Sequence, residues 1–270
     1  MLELEQLMKT IILGIIQGFT EWLPISSTGH LKIAEHFLQF SSPQGLLIFD
    51  FALHIGTLIV VILFFRGEIK DILSALVKLD FKTENGKLIP LIIVGSVPAA
   101  AVGLSLESVS EKMAQNLTLI AVAFIICGAF LYLSKVGKEK TGEVGFLTAI
   151  VVGVAEGIAI IPGLSRSGLT IVAALLLGLK REKAFKFSFL LSIPAIVGAI
   201  GYTCYTEYGY LASAGLGLTE IFVGAFVAMV VGYFALKILW KILVVGKFYL
   251  FAFYCWFIGV LVIALSLSSF

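Results

Sequence analysis

Apolar residues run almost unbroken through six stretches of the chain, roughly 46–65, 88–106, 116–134, 184–203, 218–238 and 248–268. Each is long enough to cross a bilayer as a helix, which takes about 20 apolar residues. None alternates apolar and polar at every second position, as a barrel strand facing lipid would. Two further stretches, about 8–30 and 145–179, are apolar at their ends and broken in the middle. Gln17, Glu21, Pro24 and the run Ser26-Ser27-Thr28-Gly29-His30 interrupt the first; Glu156 and the run from Pro162 to Gly168 interrupt the second. The pattern predicts an all-α polytopic membrane protein with six transmembrane helices. The two broken stretches are expected to be re-entrant helical hairpins, each a pair of short half-helices that enters the membrane and turns back.

Composition supports the membrane setting. Of the 270 residues, 60% are hydrophobic and 13% charged, with a mean hydropathy of +1.08. A soluble domain carries about a quarter charged residues, and one of this length could not hide so much apolar surface. The chain reads as one integral membrane domain, 1–270. Its net charge of +2 argues against nucleic acid or another acidic partner. Cys127, Cys204 and Cys255 lie in or at the ends of apolar segments without paired spacing, as small buried hydrophobes do. The opening MLELEQLMKT is acidic and no small-residue cleavage site follows, so no signal peptide is expected.

The basic residues set an orientation. Fifteen of the nineteen fall in 66–87, 135–143, 180–186 and 237–247, and only Lys9, Lys32 and Lys112 fall in 1–45, 107–115 and 204–217. The positive-inside rule makes the first group cytoplasmic. Both termini then lie outside, and 8–30 and 145–179 must dip in from opposite faces. That topology is an inverted twofold, with repeats 1–140 and 141–270. QGFTEWLPISSTG (17–29) resembles EGIAIIPGLSRSG (156–168), FDFALHIGTL (49–58) resembles FSFLLSIPAI (187–196), and GSVPAAAVG (95–103) parallels GAFVAMVVG (224–232), at offsets of 139, 138 and 129. Inverted repeats with broken helices meeting at the midplane are an established membrane architecture.

Non-helical backbone inside a bilayer is tolerated only where protein buries it or it lines a wet cavity, and ionisable groups there are functional by default. Opposed hairpins would bring Glu21, Ser26, Ser27 and His30 near Ser165, Arg166 and Ser167. Pro162 and Gly163 break one incoming helix, and Ser165 or Ser167 caps the outgoing one. The free N–H groups of such a start, Gly168 included, bind anions, and Arg166 adds a planar fork suited to phosphate. The first hairpin repeats the device: Pro24 breaks, Ser26, Ser27 and Thr28 cap, and Gly29 gives the backbone room. Two such starts suit a ligand with two phosphates, and the setting suits a lipid tail. Gln17 and Glu21 share a helix face and as oxygen donors suit Mg²⁺ or Ca²⁺. Glu156 has Ile160 four residues on, so the first hairpin is expected to catalyse and the second mainly to bind phosphate.

His30 follows Ser26 and Ser27 closely enough for a Ser–His pair, which activates a hydroxyl. Whether Glu21 orients that histidine, binds metal or does both is open. Bland readings stand beside these. Membrane serines often only let helices pack closely, a structural Glu21–Arg166 ion pair would explain both charges, and His54 reads as a packing or hydrogen-bonding residue. Asp50 is open between the outer interface and the cavity, and Glu107, Glu111 and Glu220 read as solvated charges.

GIIQGFTEWLPISSTGHL (14–31) and PGLSRSGLT (162–170) resemble the two signature motifs of the undecaprenyl pyrophosphate phosphatase, or bacitracin-resistance, family, and the resemblance covers essentially the whole chain. Gln17 stands where many members carry Glu. The resemblance implies hydrolysis of the terminal phosphate of undecaprenyl pyrophosphate in the bacterial plasma (inner) membrane, recycling the carrier for peptidoglycan and other envelope polymers. It also implies Mg²⁺ or Ca²⁺ dependence, a site opening outward, and tolerance to bacitracin, which sequesters the substrate. By motif position Glu21, Ser27, His30 and Arg166 would be the key residues, with Ser165, Ser167 and Thr170 supporting phosphate binding. The expected partners are a polyprenyl pyrophosphate and membrane lipids, with room for a homodimer. The rival reading is a lipid-phosphate transporter or flippase, which inverted repeats and broken helices also serve.

Overall fold

The computed structural model describes residues 2–38, 43–140, 142–206 and 217–268, and among these the chain is all-helical, with no β-strand. The helices are α1 (Leu2–Trp22), α2 (Ser27–Leu38), α3 (Pro43–Phe64), α4 (Arg66–Val77), α5 (Leu88–Ala114), α6 (Leu117–Tyr132), α7 (Phe146–Ile158), α8 (Arg166–Leu176), α9 (Arg181–Thr206), α10 (Leu218–Val244) and α11 (Leu250–Ser268). Among the described residues, α5, α6 with its 3₁₀ extension to Lys135, α9, α10 and α11 are each long and apolar enough to cross a membrane. A sixth span counts if Ile48–Phe64 and Arg66–Val77, bent by 78° to each other, are taken as one. Their outer faces are apolar, with Ile93 and Val97 on α5, Phe226 and Phe234 on α10, and Phe253 and Phe257 on α11 exposed. A helix apolar on all sides belongs in lipid or a large core.

The two broken stretches are helix–turn–helix units. α7 and α8 are short, at 13 and 11 residues. α1 departs from the expected half-helix: its 21 residues span about 31 Å at 1.5 Å per residue. The helix continues back through polar turns, where Lys9 pairs with Glu5 at 2.9 Å, an i,i+4 arrangement that supports a helix. The basic segment 66–87 likewise contains α4, not only connecting chain.

α1 packs chiefly on α10, and α7 on α5. Small residues make both crossings close. A Cβ on Gly14 would lie 2.8 Å from the Gly224 carbonyl, and one on Gly153 would collide with the Gly95 carbonyl. One turn on, Gly18 meets Ala228 and Gly157 meets Ala99 in the same way. α6 and α11 pair along their length. The core between these layers holds Trp22, Phe124, Phe185, Phe187, Phe189 and Phe248, all essentially buried. The turns at 23–26 and 159–165 meet beside it.

Candidate active site

Pro24 cannot continue α1, and the chain reverses through Leu23–Ser26. Ser26 takes a left-handed conformation, φ 68°, so α2 begins at the next residue. The Ser26 Oγ accepts from Gly29 N at 3.3 Å, capping α2, and from Gly163 N of the other turn at 3.0 Å. Gly163 has φ +97°, and a Cβ there would lie 2.5 Å from the Ile120 carbonyl; only glycine suits both demands. Two residues on, Ser165 is the α8 cap, its Oγ accepting from Gly168 N at 3.2 Å. Ser167 donates to the Trp22 carbonyl at 3.0 Å. The turns are thus stitched together in both directions.

At this seam lies a buried charged cluster. Arg166 Nη2 donates to Glu21 Oε1 at 2.6 Å, and its Nε lies 3.8 Å from Glu156 Oε1. The guanidinium sits 5.0 Å over the Trp22 ring, a cation–π arrangement. The side chains of Glu21, Glu156 and Arg166 are 6%, 5% and 14% exposed, so the Glu21–Arg166 ion pair of the bland reading is formed and is shielded from water. Glu21 Oε2 accepts from Ser27 Oγ at 2.7 Å and from Gln17 Nε2 at 3.1 Å. His54 Nε2 stands 3.7 Å from the same oxygen. Gln17 Oε1, Glu156 Oε2 and Arg166 Nη1 are buried and have no hydrogen-bond partner among the described residues. Buried polar atoms are nearly always paired, so three such atoms at one spot call for an explanation.

The structure brings Ser27, Glu21, Gln17 and Arg166 together. His30 is placed otherwise. Its Nδ1 bonds the Ser26 carbonyl at 2.7 Å and its Nε2 the Tyr254 hydroxyl at 2.9 Å, with Phe124 edge-on to the ring. Helical side chains lean toward the N-terminus, which aims this ring at the Ser26 carbonyl, and no hydrogen bond among the described residues joins it to Ser27. Ser27 is therefore paired to Glu21, which corrects the Ser–His pairing expected from spacing.

Ser165, Ser167 and Gly168 are buried in the second turn, where they cap and stitch. Thr170 is fully buried, bonding the Arg166 carbonyl at 2.7 Å and the Ser188 hydroxyl at 2.5 Å; it braces α8 against α9. Ser26 is buried as the shared acceptor, and Thr28 stands partly exposed in the first turn of α2. Glu156 and His54 join the cluster although spacing did not select them. The rule that singled out Arg166, an ionisable residue amid apolar sequence, applies to both, and Glu156 stands 139 positions after Gln17, the offset that separates Ser26 from Ser165.

A bundle of apolar spans around a guanidinium clamped by two carboxylates, with a serine hydroxyl on one of them, defines a polytopic membrane protein with an active-site-like polar centre. The chain belongs to the bacitracin resistance protein BacA family, whose pattern matches residues 10–261. It is similar to the undecaprenyl-diphosphatase of Carboxydothermus hydrogenoformans, 42% identical over 265 residues that cover 97% of this chain and 98% of that one. Undecaprenyl-diphosphatases of Halothermothrix orenii, 40% identical over 97% of this chain and 98% of theirs, and of Desulforapulum autotrophicum, 39% identical over 95% and 97%, are similar too.

Proposed function

We infer that this chain is an undecaprenyl-diphosphatase, a membrane hydrolase that converts undecaprenyl pyrophosphate to undecaprenyl phosphate and inorganic phosphate. That reaction recycles the lipid carrier for peptidoglycan and envelope polymers and underlies bacitracin tolerance. The carrying observation is the run Ser27 Oγ–Glu21–Arg166, at 2.7 and 2.6 Å: a hydroxyl on a carboxylate, beside a guanidinium with a spare buried N–H. A transporter needs no such hydroxyl–carboxylate pair, and that reading is not favoured.

In the mechanism, Arg166 Nη1 and the helix starts of α8 and α2 hold the pyrophosphate. Glu21 takes the proton as Ser27 Oγ attacks the terminal phosphorus. Undecaprenyl phosphate leaves, and water then hydrolyses the phosphoserine. Arg166 stabilises the charge that spreads over the transferred phosphoryl oxygens. Glu156 and Trp22 hold its plane.

Gln17 and Glu21 are the residues that would hold Mg²⁺ or Ca²⁺. The unpartnered Gln17 Oε1 is a carbonyl donor of the kind hard cations take, and Glu21 and Glu156 together outweigh one Arg166. No three His, Cys, Asp or Glu side chains form a metal cluster among the described residues, so phosphate and water would complete the shell, as is usual for Mg²⁺. When bound, the ion neutralises phosphate charge.

The finer architecture proposed is six spans plus two re-entrant hairpins, as inverted repeats 1–140 and 141–270. Supporting it, Ser26 and Ser165 cap alike, and Gly14 and Gly153 approach their partners alike. The distribution of basic residues supports termini and a site opening on the outer side of the plasma membrane.

The test is phosphate release from a C15 or C55 prenyl pyrophosphate by detergent-purified protein. Metal-dependent release, stopped by EDTA and lost in folded Glu21→Ala and Arg166→Ala, is expected. Binding without release by folded wild type would overturn the reading.

A further inference from the structure

Glu156 lies in the last turn of α7, on a different helix from Gln17 and Glu21, yet its carboxylate reaches the same guanidinium as Glu21. Arg166 Nη2 donates to Glu21 Oε1 at 2.6 Å, and Arg166 Nε lies 3.8 Å from Glu156 Oε1. Those two nitrogens form one edge of the planar fork, so the two carboxylates stand side by side along it. Their other oxygens are treated unequally. Glu21 Oε2 accepts from Ser27 Oγ and from Gln17 Nε2. Glu156 Oε2 has no hydrogen-bond partner among the described residues, and neither has Gln17 Oε1. Both residues are more than nine-tenths buried, Glu156 at 7% and Gln17 at 0% exposed.

An ionised carboxylate is costly to bury unless its oxygens are paired. Arg166 is the one Lys, Arg or His partner within 4.0 Å of Glu156 among the described residues, and it faces Oε1. Glu21 and Glu156 against that single guanidinium leave a negative charge in excess, and a pyrophosphate would add more. Bare oxygens in a buried site of negative charge are the donors that hard divalent cations take.

Resting on the Mg²⁺ or Ca²⁺ reading above, we propose that Glu156 is a further ligand of that cation, completing with Gln17 and Glu21 a donor set drawn from both helix–turn–helix units. Gln17 and Glu156 stand 139 positions apart and enter the cluster from α1 and α7. The first helix brings one carboxylate and one neutral amide oxygen; the second brings the other carboxylate. Two carboxylates offset a divalent cation, which leaves the positive charge of Arg166 free for phosphate. Glu156 keeps Oε1 toward Arg166 and offers Oε2 to the ion, so one side chain links the cation to the group that grips the substrate.

Equilibrium dialysis of the detergent-purified full chain against Mn²⁺, which takes the same oxygen ligands as Mg²⁺, reads the ion apart from turnover. It is run with and without methylenediphosphonate, a pyrophosphate analogue that is not hydrolysed, on both sides of the membrane. Glu156→Gln keeps the shape of the side chain and removes its charge. That variant is expected to bind Mn²⁺ about 10- to 100-fold more weakly, the loss that even an outer-shell partner brings. The Mn²⁺ needed for half-maximal phosphate release should rise by the same factor. Gln17→Glu/Glu156→Gln moves the carboxylate from α7 to α1 and should restore Mn²⁺ affinity to within about threefold of wild type, because the charge of the donor set is regained. A residue that only braces Arg166 would not be rescued in this way.

Wild-type Mn²⁺ affinity in a Glu156→Gln protein with a normal gel-filtration profile overturns the proposal, and so does a double variant that binds as weakly as the single one. If Glu156→Gln does not fold, the comparison is read between Gln17→Glu and the double variant, where equal Mn²⁺ affinity overturns it. Wild type that takes up no Mn²⁺ in either condition sinks the metal reading itself. Affinity lost in Glu21→Gln and kept in Glu156→Gln sinks the role of Glu156 alone.

Discussion

Ser26 and Ser165 stand 139 positions apart and cap the helices that follow them in the same way, yet only Ser26 also accepts a hydrogen bond from the opposite turn. At the same offset Ser27 corresponds to Arg166, the first residues of α2 and α8, and Glu21 corresponds to Ile160. The two turns thus share a serine helix cap and differ in contents. The first turn carries a hydroxyl and its carboxylate; the second carries a guanidinium in place of the hydroxyl and nothing polar in place of the carboxylate. The two turns bring two helix starts to one point, and on the proposed mechanism their differing side chains divide attack from phosphate holding between them.

The largest effect should come from the hydroxyl. Ser27→Ala removes the attacking atom and should lower phosphate release on the order of 10³-fold, as loss of a nucleophile does, while prenyl pyrophosphate binding, followed by calorimetry, stays near wild type. Next is the guanidinium. Arg166→Lys keeps the charge and loses the planar fork that reaches Glu21 and Glu156 together, so kcat/KM should fall about 10²-fold. A pattern in which Arg166→Lys hurts more than Ser27→Ala would reverse the assignment of roles.

The broken stretches and their breakers were legible because Pro24, Pro162 and Gly163 sit amid apolar sequence, and because Ser165 before Arg166 reads as a cap. Glu21 and Arg166 were legible as a pair because a lone charge in such a setting needs a partner. His54 and Glu156 were not assembled with them, since α3 and α7 reach the cluster through packing between distant segments, which spacing along the chain does not encode. His30 was not read correctly for a local reason: α2 starts at Ser27, straight after the left-handed Ser26, and its first turn aims the His30 ring back onto the Ser26 carbonyl. The full length of α1 was hidden because its first turns are polar.

Backbone changes probe the seam. Gly163→Ala forces a Cβ into a left-handed φ and against the Ile120 carbonyl, and should cost about 2–3 kcal/mol of stability, read as a lower midpoint of thermal unfolding in detergent. The two caps give a finer contrast. Ser165→Ala should cost about 1 kcal/mol, the usual value of an N-cap. Ser26→Ala should cost about 2 kcal/mol, because the Gly163 N–H loses its partner as well. Equal losses would mean the cross-turn bond contributes nothing. The smallest effect on turnover is expected at His30. His30→Gln should lower kcat less than about tenfold, because its contacts position α2 and reach Ser27 only through the backbone.

On the proposed mechanism Ser27 attacks phosphorus while Arg166 holds the phosphate. Its most direct test is rapid-quench trapping with a prenyl pyrophosphate labelled in the terminal phosphate, followed by locating the label in the protein. Label is expected on Ser27, at a level that rises and decays within single turnover and is absent from Glu21→Gln. Label on another residue, or single-turnover phosphate release with no labelled protein at any time, would contradict it.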